Sequence, residues 1–238
     1  MKTVLITGAS SEIGRAIIDK YLENDYRVIG TYFSNKEALD EYKDKIDIQR
    51  LDLTSEESIN DLVHYIKDKY NDIDTLINGS AVSIDSLFSD KNKKDFNNTL
   101  NVNLVGTFLL SKEIGNIMYD NKKGTIINIS STNGIDKYFP MSLDYDASKA
   151  ALNSLTHNLA YQFAPYVRVN AVAPGAVATK KELDGVDNEF IKTEEEKVFV
   201  KRLGKPMEIA NVIYFLSSDD ASYINNEIIR VDGGTYSG

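Results

Sequence analysis

The chain has 238 residues and a formal net charge of −9, with 42% hydrophobic and 26% charged residues. That length suits one α/β domain and buries roughly 70–75% of the unfolded surface without a staple. The acidic balance argues against non-specific nucleic-acid binding and against an anionic membrane surface, and the absence of cysteine excludes disulfides, thiolate catalysis and cysteine metal sites.

Taken in chain order, apolar runs alternate with amphipathic stretches. Val4-Leu5-Ile6 reads as a short buried strand, residues 13–22 as a helix and 27–32 as a second strand. A polar helix is expected over 37–43, a third strand over 46–53 and a helix over 55–70, where Ile59, Leu62, Val63 and Ile66 share a face. A fourth strand follows at 74–78, then one long helical region from about 96 to 119. A fifth strand covers 124–131, a helix 144–163, a sixth strand 167–172, a helix 206–216 and a last strand 227–231. The acidic stretch 182–201, interrupted by Gly185, reads as a flap over about 180–203 within a single domain spanning 1–238.

Short continuous apolar strands that alternate with helices predict a doubly wound, seven-stranded parallel sheet with helices on both faces. Ligands of such sheets bind beyond the carboxyl ends of the strands. The residues that follow each strand are therefore the candidates for function.

After strand one stands Thr7-Gly8-Ala9-Ser10-Ser11-Glu12-Ile13-Gly14, then a helix. Glycines allow the tight turn, and a helix N-terminus offers free N–H groups and a positive dipole to a pyrophosphate. Strand two is followed by Thr31-Tyr32-Phe33-Ser34-Asn35-Lys36, with no acid to accept from the ribose hydroxyls of NAD. Ser34 and Asn35 as donors favour NADP(H) over NAD(H). Asp52-Leu53 is placed to meet the adenine, and Asn78-Gly79 brings backbone close to the cofactor.

After strand five come Ser130 and Ser131, and the next helix begins with Tyr145-Asp146-Ala147-Ser148-Lys149. Residues i and i+4 share a helix face, so Lys149 sets a positive charge under the Tyr145 phenol and is expected to lower its pKa. The same spacing occurs at Tyr32/Lys36, Tyr65/Lys69 and Tyr119/Lys123, but only Tyr145/Lys149 follows a strand that delivers serines to the carboxyl edge.

These pieces together resemble the short-chain dehydrogenase/reductase family over the whole length. The match rests on Thr7-Gly8 to Gly14, Asp52, Asn78, Asn101-Val102-Asn103, Ser131, Tyr145/Lys149, Pro174-Gly175 and Val231-Asp232-Gly233-Gly234. Within it, Arg202-Leu203-Gly204-Lys205-Pro206 with Glu208-Ile209-Ala210 looks most like the 3-oxoacyl-[acyl-carrier-protein] reductases. The resemblance implies a nicotinamide-dependent oxidoreductase that interconverts a carbonyl and a secondary alcohol. Its substrate is either a 3-oxoacyl thioester or a small free carbonyl, sugar or polyol; a non-catalytic cofactor sensor is the alternative from another class.

By that resemblance Tyr145 is the acid/base and Ser131 holds the carbonyl oxygen, with Ser130 as the fallback. Lys149 holds the nicotinamide ribose, and Asn103 holds a water that relays protons to Lys149. Gly8, Ser10, Ser11, Ile13 and Gly14 line the pyrophosphate, while Pro174, Val177 and Thr179 meet the nicotinamide. A cytoplasmic homotetramer or dimer is implied, built on the helix from Phe96 and the Tyr145 helix. No nucleic acid, membrane or metal partner is expected, since no carboxylate/histidine cluster has metal-ligand spacing. An acyl carrier protein has little basic surface to meet beyond Lys122 and Lys123.

Three departures from the family pattern stand out. Glu12 replaces a loop glycine; its side chain is expected to turn outward to solvent and to weaken cofactor affinity without abolishing it. Asn78-Gly79-Ser80-Ala81 lacks a second Asn. The Ser131-to-Tyr145 spacing is one residue longer than usual, an insertion expected to be absorbed around Lys137-Tyr138-Phe139-Pro140 beside the substrate.

Overall fold

The computed structural model describes residues 1–70, 72–184 and 187–235, with nothing stated of the Lys181 side chain. Seven parallel strands form one sheet in the order β3-β2-β1-β4-β5-β6-β7. They are β1 (Thr3–Thr7), β2 (Arg27–Tyr32), β3 (Asp47–Arg50), β4 (Thr75–Asn78), β5 (Gly124–Ile129), β6 (Val167–Pro174) and β7 (Ile228–Val231). The order reverses beside β1, so the connections that follow the paired strands β1 and β4 run to opposite sides and leave the crevice where such folds bind ligands.

Strands buried on both faces need apolar residues on both faces. One face packs α1 (Glu12–Leu22) and α8 (Pro206–Ser217) through Ile17, Ile18, Tyr21, Ile209 and Ile213. The other packs α2 (Glu56–Tyr70), α4 (Thr107–Asp120) and α5 (Leu143–Gln162) through Ile59, Leu62, Ile114 and Leu159. Two short helices, α6 (Lys180–Leu183) and α7 (Asn188–Glu196), occupy the expected flap; Gly185 lies outside the described residues. Among the described residues no helix is long and apolar enough to cross a membrane.

Three elements differ from the sequence reading. The polar helix at 37–43 is a 3₁₀ segment, Glu37–Tyr42, that buries only Leu39 and Tyr42. The third strand is four residues long: Leu51 still donates its N–H to the Tyr32 carbonyl at 2.8 Å, and beyond it Leu53 is buried in the core. The long helical region begins earlier, as α3 (Lys93–Leu100), and is then interrupted by a π turn at Asn101–Gly106 before α4. Gly106 lets the turn come close to the chain beyond β3: a Cβ there would stand 2.2 Å from the Leu53 carbonyl oxygen.

Candidate active site

The turn after β1 forms the floor of the crevice. Gly8 adopts φ +68°, a left-handed conformation that favours glycine, and a Cβ there would come within 2.8 Å of the Gly79 carbonyl. Thr7 Oγ1 accepts the N–H groups of Gly79 and Ser80 at 3.0 and 3.1 Å, which joins the two turns that flank the crevice. Ser11 caps α1 by accepting the Gly14 N–H at 3.0 Å. The amides of Glu12 and Ile13 in the same turn make no hydrogen bond among the described residues. A close-packed backbone cradle with open helix-terminal amides fits a pyrophosphate.

Glu12 corrects an expectation. Its carboxylate does not turn outward; Oε2 accepts the backbone N–H of Lys180, the first residue of α6. A helix start has orphan amides. Thr179 caps one of them, accepting the Glu182 N–H at 3.3 Å, and Glu12 takes another from across the crevice. The residue that departs from the family pattern thus ties the glycine turn after β1 to the start of α6.

Ser131, Tyr145 and Lys149 come together at the carboxyl end of β5. The Ser131 hydroxyl lies close enough to the Tyr145 phenol to favour its ionised form, and it accepts the Asn133 N–H at 3.1 Å. Lys149 Nζ stands 5.4 Å from the centre of the Tyr145 ring and donates to the Ile129 carbonyl at 2.6 Å. Ser130 points elsewhere: it is 2% exposed and donates to Asn153 Oδ1 at 2.6 Å. Adjacent residues leaving a strand face opposite ways, which separates the two serines.

The electrostatics correct a second expectation. Burial pushes the Tyr145 phenol up to about 12, against the lowering effect of the Ser131 hydroxyl and with the help of the Glu182 and Asp146 charges. Burial alone brings Lys149 down to about 8. The net shift of Tyr145 is therefore upward, not downward. At neutral pH the protein's own environment keeps the phenol protonated and the lysine mostly charged.

Other expected residues divide. Asn103 lies in the π turn, 1% exposed, and its amide is committed: it donates to Val82 O at 2.9 Å and Ser148 Oγ at 3.0 Å and accepts from Val82 N at 2.8 Å. Both of its side-chain N–H groups are thus committed within the protein. Asn78 is 4% exposed and bonds inward, to Ser111 Oγ and Asn128 Oδ1, both at 2.8 Å. Leu53 is 6% exposed, its side chain packed in the core. Asp52 accepts from the Thr54 N–H and hydroxyl at 2.9 and 2.7 Å. Asn35 caps Ala38 at 3.3 Å, while Ser34 is exposed.

Pro174 ends β6, Val177 is buried and bridged to Gly204, and Thr179 begins the flap. The loop between Ser131 and α5 is anchored by Asp146, which accepts from Asn133 at 2.7 Å and from the Phe139 N–H at 2.9 Å. Lys123 is paired with Asp72 and Asp74 before β5, and Lys122 lies over Tyr166; both stand at the amino end of the sheet, opposite the site. They offer no docking surface beside it.

Two groups were missed. Arg50 ends β3 in register with Tyr32, exposed, its guanidinium 5.5 Å from the centre of the Phe33 ring. It makes no ion pair among the described residues. Lys91 and Asp144 form a buried pair next to Tyr145. The first required knowing that β3 pairs with β2; the second joins residues too far apart in sequence for any spacing rule.

Known proteins match this architecture throughout. A family model described as enoyl-(acyl carrier protein) reductase covers residues 8–236. The 3-oxoacyl-[acyl-carrier-protein] reductase FabG of Aquifex aeolicus (strain VF5) is 37% identical over 244 residues, 99% of this chain and 97% of that protein. Glucose 1-dehydrogenase 2 of Bacillus subtilis (strain 168) is 31% identical over 98% of this chain and 94% of its own. Among solved structures, ElxO with NADP bound superposes at a TM-score of 0.90, with 32% identity and 98% of each chain covered. The chain belongs to the short-chain dehydrogenase/reductase family and is an oxidoreductase of that family. The reading as a non-catalytic sensor is set aside by this result.

Proposed function

We propose that this oxidoreductase uses NADP(H) to interconvert a carbonyl and a secondary alcohol, with Tyr145 as the acid/base. The observation that carries the reading is the meeting of Ser131, Tyr145 and Lys149 at the carboxyl end of β5, with Lys149 Nζ 5.4 Å from the centre of the Tyr145 ring. NADPH, when bound, supplies the hydride. Ser131 orients the carbonyl oxygen and steadies its negative charge. Tyr145 gives that oxygen its proton, and Lys149 with Asn103 and a water restores it. Gly8, Ser10, Ser11, Ile13 and Gly14 hold the pyrophosphate; Pro174, Val177 and Thr179 meet the nicotinamide. NADPH consumption over a panel of carbonyl compounds tests the reading; no turnover of any member counts against it.

NADP over NAD rests on the 31–36 segment and on Arg50. A planar guanidinium stacked on Phe33 keeps its edge free for bidentate phosphate contact. Arg50→Gln is expected to raise the NADPH KM about ten-fold, roughly 1.4 kcal/mol, and to leave the NADH KM unchanged. Parallel titrations with the two cofactors check this; equal losses for both would assign Arg50 to general binding.

Glu12 opposes the same anion from the floor of the crevice. Glu12→Gln keeps the acceptor for Lys180 and removes the charge, so NADPH is expected to bind about five-fold tighter, roughly 1 kcal/mol. Nicotinamide fluorescence measures the dissociation constant, and an unchanged value would show that the carboxylate is already shielded.

The rim of the site favours an apolar carbonyl, including a 3-oxoacyl thioester, over a sugar or polyol. The loops after β4 and β5 expose Leu87, Phe88, Tyr138, Phe139 and Met141, and the Ser86 N–H to Met141 carbonyl bond of 3.0 Å holds them together. An acyl carrier protein as donor has less support, because Lys122 and Lys123 lie at the far end. A homotetramer or dimer through α4 and α5 fits the exposure of Val105, Phe108 and Tyr161. The whole chain acting as one cofactor-binding and catalytic unit, with a flap at about 180–203, and a cytoplasmic location complete the proposal.

A further inference from the structure

We propose that Lys91 and Asp144 form a buried clamp that sets Tyr145 against the substrate loop, which makes Lys91 a positioning residue of the reaction. The inference rests on the reading of Tyr145 as acid/base given above. Lys91 is 6% exposed and Asp144 fully buried, with Nζ 2.7 Å from Oδ1. Lys91 Nζ also donates to the Ile84 carbonyl, and Thr99 donates its hydroxyl to the other carboxylate oxygen at 2.7 Å. One ammonium and one carboxylate thus join three parts of the chain: the loop after β4, helix α3 and the first turn of α5. Asp144 immediately precedes Tyr145 in that turn.

Burial pushes the Asp144 carboxyl up, yet the Lys91 and Thr99 hydrogen bonds outweigh it and hold the group below the usual carboxylate range. A packing role alone would not need this pair. Desolvating two charges is costly, and apolar residues of similar volume serve stability as well or better. What an ion pair with both carboxylate oxygens bonded adds is a fixed geometry. The same loop is anchored twice more, at Val82 by the Asn103 amide and at Ser86 by the Met141 carbonyl, and it carries Leu87 and Phe88 to the rim. Catalytic helix and substrate wall are therefore held as one body.

The test compares Lys91→Met, Lys91→Arg and the double variant Lys91→Met/Asp144→Leu in the full chain. Lys91→Met is expected to lower kcat at least ten-fold while the NADPH dissociation constant stays within two-fold. It also leaves the Asp144 carboxylate without its cation, bonded only by Thr99, next to Tyr145, whose phenol already meets the Asp146 and Glu182 charges and whose ring faces Lys149. The ionisation limb of alcohol oxidation is then expected to move to higher pH. Lys91→Arg restores most of kcat. The double variant recovers thermal stability without recovering kcat, which a purely structural role would not allow, and it keeps the test available if Lys91→Met does not fold.

Wild-type kcat, KM and pH profile in the double variant would overturn the clamp. A wild-type protein with no carbonyl reductase activity, or a fully active Tyr145→Phe, would instead overturn the reading on which it rests.

Discussion

Tyr145→Phe is expected to lower kcat/KM for carbonyl reduction by about 10³-fold and to leave NADPH binding within two-fold. The substitution removes one oxygen from the surface of the crevice and keeps the ring over which Lys149 sits. A positioned proton donor contributes roughly 10²–10⁴-fold, so a loss in that range identifies the phenol as the donor. The pH profile gives an independent check. Tyr145 is pushed up to about 12 and keeps its proton throughout the neutral range, so its own ionisation does not limit reduction there. Lys149, brought down to about 8, loses its charge as pH rises through that value. Reduction followed as kcat/KM for the cofactor is expected to be level below about pH 8 and to fall above it, and Lys149→Met is expected to remove that limb.

The second large effect is expected from Gly14→Ala. A Cβ at this position would stand 2.3 Å from the Gly8 carbonyl oxygen and 2.7 and 2.8 Å from Ala9 backbone atoms. No flexible side chain is available to give way, so either the helix start or the glycine turn must shift. Overpacking of this kind costs about 3 kcal/mol, which for a chain of this size lowers Tm by roughly 6–12 °C. Because the displaced groups are the cradle itself, NADPH affinity should fall at least ten-fold in the same variant. Calorimetry with and without cofactor separates the two losses: the variant should lose most of the stabilisation that NADPH gives the wild type.

The sheet was legible because it obeys local rules. The second strand, 27–32, is found with the bounds its apolar run indicates, and the other strands differ from their runs by one or two residues at an end, except β3, which is cut to Asp47–Arg50. The Ser131, Tyr145 and Lys149 set was legible from its place after the serine-bearing strand, while Ser130 parts from it because its hydroxyl is buried and donates to Asn153. What could not be read depends on long-range contact. The π turn that carries Asn103 lies within an apolar pattern that is helical on either side, and Gly106 acquires its reason only from the Leu53 carbonyl. Glu12 meets an amide 168 residues away. Lys91 meets Asp144 at a separation of 53, and Arg50 gains meaning only once β3 lies beside β2. The direction of the Tyr145 shift was not legible for a related reason: i, i+4 spacing shows the lysine, but not the burial that pushes the phenol up.

The most direct test of the account is NADPH consumption over a panel of neutral carbonyl compounds, apolar 3-oxo thioesters included, with the wild-type protein and Tyr145→Phe measured side by side. The account predicts turnover of at least one member by the wild type and about 10³-fold slower turnover by the variant, with equal NADPH binding in both. A variant as fast as the wild type, or a wild-type protein that binds neither NADPH nor NADH, would contradict it.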